Sequence, residues 1–308
     1  MSNATDPYID LDSSVEIDYS NEEALLDAAA AVDRSPSPAG MTRSLGMDLK
    51  SMVTLVETHP LQDGRYFKTE GESIKKQIYL HDTLGWGDPI GVINGWDKAK
   101  NSRGEWAKVG TWCLIAGRKV HPSHRHTDGH VYRAFSSRDW AYHLGVRAHN
   151  SEQLNRESIG IELCSFGPMV KVGENQYAPK AYPSLQNNPK YFLSEEDIVI
   201  YDESTGYPNG YRGSNFYEKY TDAQIEALRN TLMYLCDTYN IPTEYKGIEM
   251  FGSQESPYID SRPFTGEAGI WTHTSIRGFQ ESKRKWEKHD CHPQPELINM
   301  LKSLSPVA

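Results

Sequence analysis

Asn155-Arg156-Glu157-Ser158-Ile159-Gly160-Ile161-Glu162-Leu163 is the stretch from which the rest of this chain can be read. From Ser158 to Leu163, isoleucines recur at every second position, the composition and period of a strand. A single carboxylate, Glu162, is set among those apolar neighbours. Desolvation in such a place raises the pKa of a carboxyl group and suits it to proton transfer. Upstream, Gln77-Ile78-Tyr79-Leu80-His81 reads as a short strand ending at a histidine. Thr111 to Ala116 reads as a buried strand, with a hairpin returning through His130 to Phe135. Downstream, Thr221-Asp222-Ala223-Gln224 has the capping-box pattern. Ile225, Leu228, Leu232, Leu235 and Tyr239 follow at helical spacing, and Pro242 closes the segment. A last helix is expected from Pro295, burying Leu297, Met300, Leu301 and Leu304. Strands interleaved with helices place the chain in the α/β class.

The surrounding segments have a different character. Residues 1–45 are rich in Asp, Glu and Ser, with an Ala-rich run from Glu22 to Val32 and a Ser-Pro-Ser-Pro-Ala-Gly linker at 35–40. They read as a tail or docking arm, partly disordered, attached to a body at 46–308. Residues 85–110 read as a polar loop. Residues 167–219, rich in Tyr, Asn and Gly, read as an elaborated surface insertion. Both are expected to flank a cleft, and their Tyr, Trp and Asn content suits a carbohydrate or peptide groove and solvent-facing decoration equally.

Composition excludes several functions. A net charge of −10 argues against nucleic acid and against docking on anionic membrane, so a negative substrate would need local Lys or Arg. No window of 18 apolar residues occurs, so no membrane span is expected. The four cysteines, at 113, 164, 236 and 291, are scattered and form no C-x-x-C pair. That spacing fits neither a disulfide framework nor a zinc finger, and suits a reducing compartment. The first 20 residues lack the apolar core of a secretory signal.

Several residue types capable of metal chemistry stand at element ends. Catalytic zinc takes three protein ligands from His, Asp, Glu and Cys and keeps a fourth position for water. His81 ends one strand, and His273 ends the apolar run Ile270-Trp271-Thr272. Asp290 lies in Trp286-Glu287-Lys288-His289-Asp290-Cys291-His292-Pro293, a dense polar stretch before a proline-bounded turn. Taken singly, each also suits an ordinary hydrogen-bonded residue, and spacing alone does not join them. His121, His124, His126 and His130 are packed closer still, yet among Pro, Ser, Asp and Gly they read as an exposed polar turn.

Taken in order, these segments resemble the zinc-dependent N-acetylmuramoyl-L-alanine amidases, the type-2 amidases whose fold is shared with peptidoglycan-recognition proteins. The resemblance runs over roughly 75–304. It rests on Tyr79-Leu80-His81-Asp82-Thr83, Trp112-Cys113-Leu114-Ile115, Trp140-Ala141-Tyr142-His143-Leu144-Gly145, the Asn155–Leu163 stretch, Tyr220-Thr221-x-x-Gln224, His273 and Lys288-x-Asp290. It implies a central mixed β-sheet flanked by helices, with an irregular N-terminal extension. It also implies one Zn²⁺ per chain on His81, His273 and Asp290, Glu162 as general base then acid, and Lys288 as the cation beside the developing oxyanion. His143 and Asn155 would contact the glycopeptide. Relatives usually follow the aspartate with Pro-Gly-Pro; here Cys291-His292-Pro293-Gln294-Pro295 stands instead. Cys291 and His292 are both competent ligands, so either remains an alternative to Asp290.

The implied activity is hydrolysis of the amide between N-acetylmuramic acid and L-alanine in peptidoglycan. A non-catalytic peptidoglycan-binding module of the same fold is the alternative, and a zinc amidase acting on another N-acylated peptide is a third. Without a recognisable signal, the expected setting is cytoplasmic synthesis and action on the cell wall after release or delivery, as a phage lysin or an injected effector. Stem-peptide preference and oligomeric state are left open by the sequence.

Overall fold

The structure of the protein, a computed structural model, describes residues 56–58, 60–120, 124–146, 150–252, 261–280 and 290–305. Its centre is a six-stranded sheet built from β1 (Val56–Thr58), β2 (Gln77–Asp82), β3 (Cys113–Ile115), β4 (Val131–Arg133), β5 (Ser158–Leu163) and β11 (Gly269–Thr272), in the order β1-β4-β3-β5-β2-β11. β5 runs parallel to both β2 and β3, and β2 runs parallel to β11; β3 and β4 pair antiparallel. The sheet is therefore mixed, as expected. Every residue of β2 and β5 is buried. Inner parallel strands are covered on both faces, which is why these two read as nearly continuous apolar runs.

Register does the work of placing the chemistry. His81 pairs with Glu162, and Leu80 pairs with both Ile161 and Thr272. Partners directly opposite one another share a face of the sheet, about 4.8 Å apart between strands. His81, Glu162 and Leu114 therefore rise on one face. Ile159, Ile161 and Leu163 occupy the other.

Among the described residues five α-helices lie around the sheets: α1 (Pro89–Lys98), α2 (Ser151–Arg156), α3 (Asp222–Tyr239), α4 (His273–Gln280) and α5 (Pro295–Leu304). α3 starts at a capping box in which the Thr221 side chain accepts from the Gln224 amide and Gln224 bonds the Thr221 amide in return. It ends at Asn240, in the left-handed conformation. Gln224 also has Nε2 donating to the carbonyls of Ile115 and Cys164, tying the start of the helix to the ends of β3 and β5. α5 packs on α3 and buries Leu297, Met300 and Leu301, while Leu304 is only partly covered.

Two segments fold differently from their reading. Residues 85–110 hold a helix rather than a loop: Pro89 opens α1, and the Asp88 carboxylate caps it at the Ile90 amide. Ile93, buried at 0% exposure, fixes the helix to the core despite its polar flanks. Residues 167–219 are no loose decoration either. They form the whole of a five-stranded antiparallel sheet, β8 (Leu193–Ser194), β7 (Gln176–Pro179), β6 (Pro168–Gly173), β10 (Phe216–Glu218) and β9 (Ile198–Ile200) in spatial order. Phe166, Met169, Tyr177, Leu193 and Ile198 give that sheet its own core. Tyr177, Tyr201, Tyr211 and Tyr217 are buried, so these tyrosines are interior packing and not a sugar-facing surface. The expected tail, 1–45, lies outside the described residues, as do residues 281–289.

Candidate metal centre

At the C-terminal ends of β2 and β11, three buried side chains converge. His81, His273 and Asp290 present donor atoms that all lie within 4.8 Å of one another, close enough that together they could hold a metal ion. Each is 5% exposed or less. β2 delivers His81, the turn from β11 into α4 delivers His273, and Asp290 arrives from the chain entering α5. The Asp290 backbone is pinned there, because the amide and hydroxyl of Thr274 both donate to its carbonyl oxygen. Asp290 Oδ2 lies 2.7 Å from His273 Nδ1 and 3.7 Å from His81 Nδ1.

The proton positions follow from what stands behind each ring. His273 Nε2 lies 2.9 Å from the carbonyl oxygen of Leu144. A carbonyl can only accept, so Nε2 carries the proton and Nδ1 turns a lone pair toward the carboxylate. A lone pair and a carboxylate oxygen 2.7 Å apart call for a positive charge between them, either a second ring proton or a cation. Two imidazole nitrogens and a carboxylate are also the donor set that zinc prefers, with a position left over for water. The residues fit the ion.

Glu162 stands beside this group on the neighbouring strand, 9% exposed, in register with His81. Lys288 lies outside the described residues. Asp82, not singled out from sequence although it follows His81, is buried on the opposite face. Burial pushes its carboxyl well above the usual range, opposed by the Leu84 amide, with the nearby Asp290 charge acting in the same direction as burial. Tyr220 reaches it with its hydroxyl, 3.0 Å from Asp82 Oδ2.

Cys291 and His292 point elsewhere. Cys291 Sγ lies 3.3 Å from the Tyr220 hydroxyl, and burial holds the thiol well above its normal pKa. A thiol must ionise to bind metal strongly. The His292 ring is spent on both sides: Nε2 donates to the Glu218 carbonyl at 3.1 Å and Nδ1 accepts from the Tyr201 hydroxyl at 2.9 Å. Burial lowers its pKa to about 3. The ring stacks between Tyr217 and Tyr220, centroids 4.8 and 4.4 Å away. Asp290, not its two successors, is the member of this run that joins the cluster.

His143 and Asn155, expected to touch a glycopeptide, are engaged by the chain itself. Asn155 is 1% exposed; its Oδ1 accepts from the amides of His143 and Leu144, and its Nδ2 donates to the Ser151 carbonyl. The side chain is thus tied to the chain's own backbone through both its oxygen and its nitrogen. Both ring nitrogens of His143 also have protein partners, His81 Nε2 at 3.1 Å and Ser158 Oγ at 2.9 Å. Burial first, and the His81 and His273 rings second, hold His143 well below the usual histidine pKa. Sequence reasoning missed the Leu144 carbonyl altogether, since a backbone acceptor leaves no signature in residue type.

The histidine-dense hairpin is not the exposed turn it was expected to be. Arg125 and Thr127 are exposed, but His124 and His126 are buried. His126 Nε2 lies 3.2 Å from the Gly117 carbonyl, and His124 packs edge-on to Trp86. Among the described residues the three-donor group is the one at His81, His273 and Asp290. His121 lies outside them.

A family profile for N-acetylmuramoyl-L-alanine amidases matches residues 123–291. That span includes Glu162, His273 and Asp290 and begins after His81. A comparison with curated proteins finds no match. The solved structure titled "Structure of PlyL" is similar at 13% identity and a TM-score of 0.38, over 82% of this chain and 97% of that one.

Proposed function

The chain belongs to the N-acetylmuramoyl-L-alanine amidase family, and on that premise we propose that it is a zinc-dependent peptidoglycan hydrolase. The bond cut is the amide between the lactyl group of N-acetylmuramic acid and L-alanine. The observation that carries the reading is the convergence of His81, His273 and Asp290, with both ring Nδ1 atoms and Asp290 Oδ2 directed at a point where a cation can be held. One Zn²⁺ per chain held by these residues would supply Lewis acidity, acidifying water and polarising the amide carbonyl.

The remaining work falls to the chain's own groups. Glu162, on the same face as His81, takes a proton from the attacking water and returns it to the departing amine. Lys288, two positions before Asp290, is assigned to the oxyanion that develops on the carbonyl oxygen. Such a donor is worth about 3–4 kcal/mol where it is well placed. The substrate is the glycopeptide of the cell wall, and the enzyme acts there after release or delivery. Residues 46–308 are taken as the catalytic domain and 1–45 as an appended arm. Among the described residues no helix is long and apolar enough to cross a membrane.

Purified sacculi and metal analysis test the reading together. The expected result is one zinc per chain, release of new L-alanine amino termini from sacculi, and loss of that release with chelator or on Glu162→Ala. Sacculus binding without new amino termini would replace the hydrolase by a peptidoglycan-binding module. Activity confined to small N-acylated peptides would move the substrate away from the wall.

A further inference from the structure

Both imidazoles of the cluster are held from behind by the same two residues. His143 Nδ1 lies 3.1 Å from His81 Nε2, and the next residue, Leu144, offers its carbonyl oxygen to His273 Nε2 at 2.9 Å. The direction of the first bond is set at its far end. Ser158 Oγ donates to the Asn155 carbonyl, a group that can only accept, at 3.3 Å. The hydroxyl oxygen therefore accepts from His143 Nε2 at 2.9 Å, and His143 Nδ1 is left as a lone pair that takes the proton on His81 Nε2. His81 and His273 thus carry their protons on Nε2 and turn both Nδ1 atoms toward Asp290.

One amide oxygen fastens this arrangement. Asn155 Oδ1 accepts from the His143 amide at 2.8 Å and from the Leu144 amide at 3.1 Å, while its own Nδ2 is tied to Ser151 at 2.8 Å, one turn back in α2. Gly160, between Ser158 and Glu162 on the site face, supplies the room. A Cβ there would lie 2.9 Å from His143 Nδ1 and 2.6 Å from Thr111 Cγ2.

We propose that Asn155 and His143 are positioning residues which, with the Leu144 carbonyl, select the Nδ1-facing form of both histidine ligands, so that one buried asparagine orders two of the three groups that hold the metal. The proposal rests on the zinc reading above. It separates these two residues from substrate recognition: their loss acts on metal affinity and ligand geometry before it acts on KM. Groups that orient metal ligands in this way typically change affinity by about 10- to 100-fold.

The test compares His143→Leu, which removes the acceptor for His81, with His143→Gln, whose side-chain carbonyl can restore it. Zinc affinity is read by competition with a chromophoric chelator, and ligand geometry by the visible spectrum of the Co²⁺-loaded protein, with melting curves taken alongside. His143→Leu is expected to weaken zinc by about 10- to 100-fold and shift the Co²⁺ bands, and His143→Gln to recover most of both. Asn155→Ala should weaken zinc to a similar degree, and the His143→Leu/Asn155→Ala pair should fall short of the product of the singles, because one residue acts through the other. Should Asn155→Ala not fold, Ser158→Ala takes its place, with an expected loss of several-fold. Folded variants with wild-type zinc affinity and an unshifted spectrum, or a Gln variant no better than Leu, would overturn the proposal. Wild-type protein that takes up no zinc would instead overturn the functional reading on which it rests.

Discussion

Asp290 and the Cys291-His292 pair are consecutive in the chain yet serve different halves of the molecule. Asp290 faces the end of the six-stranded sheet, where polar groups are buried with lone pairs directed at one another. Cys291 and His292 turn into the tyrosines around β10, where the Tyr220 hydroxyl meets the Cys291 thiol and the Tyr201 hydroxyl and Glu218 carbonyl meet the His292 ring. The first region gathers two imidazoles and a carboxylate at one point, where an ion can bind. The second neutralises its polar groups internally, which makes a core. Proximity to a metal cluster in sequence is thus no guide to membership in it; what counts is which way the backbone turns each side chain.

The sharpest way to break this contrast is to exchange the fates of neighbours. Asp290→Ala should abolish stoichiometric zinc and lower amide cleavage by about 1,000-fold or more, the several kcal/mol of charge stabilisation that a catalytic metal supplies. Cys291→Ala should keep one zinc per chain and most of the activity. The reverse pattern in metal analysis and sacculus assays would erase the distinction. Glu162→Gln comes next. It should retain zinc while slowing cleavage by about 100- to 10,000-fold, the range for a lost general acid–base. Loss of zinc in that variant would make Glu162 a ligand.

The tyrosine-lined region should respond in stability. His292→Ala opens a cavity and strips partners from Tyr201 and the Glu218 carbonyl, for an expected cost of about 2–4 kcal/mol in denaturant unfolding. The folded fraction should still bind one zinc. Glu218 gives this region a pH signature, because burial raises its carboxyl from 4.5 to about 7, offset in part by the Phe166 amide and Arg118. The folded protein keeps that proton where the unfolded chain has lost it. Its contribution therefore erodes stability as pH rises from about 4.5 to about 7, by at most about 3 kcal/mol, and levels off above. Glu218→Gln should flatten that part of the melting-temperature profile, and an unchanged slope would assign it to other groups. The smallest effect is expected for Tyr217→Phe, which removes one hydroxyl bond to the Tyr211 carbonyl and should cost about 1 kcal/mol.

Some of this was legible in residue order alone. The strands around His81 and Glu162, the capped helix from Asp222 and the closing helix from Pro295 follow from hydrophobic period and capping chemistry, both local properties. The candidate ligands could be named because they stand at strand ends within motifs of a known family. The helix at Pro89–Lys98 was hidden, since Gly91 and Gly95 inside it and the polar residues around it read as loop. The second sheet was hidden for a related reason. Its strands are two to six residues long, and the tyrosines they bury, Tyr177 and Tyr217, are residues that composition alone cannot place inside or outside.

The sequence by itself determined the α/β class, the family and the residue types available for metal chemistry, because these depend on local period and on motifs of fixed spacing. Only the tertiary structure decided which donors meet. It brought residues 81, 273 and 290 to one point, turned 291 and 292 into a tyrosine cage, and put His143 and Asn155 behind the ligands. The physical reason is that the state of an imidazole is set by whatever accepts its other proton. Here that acceptor is a carbonyl or a ring more than 60 positions away, in contact only because parallel strands bring distant segments side by side.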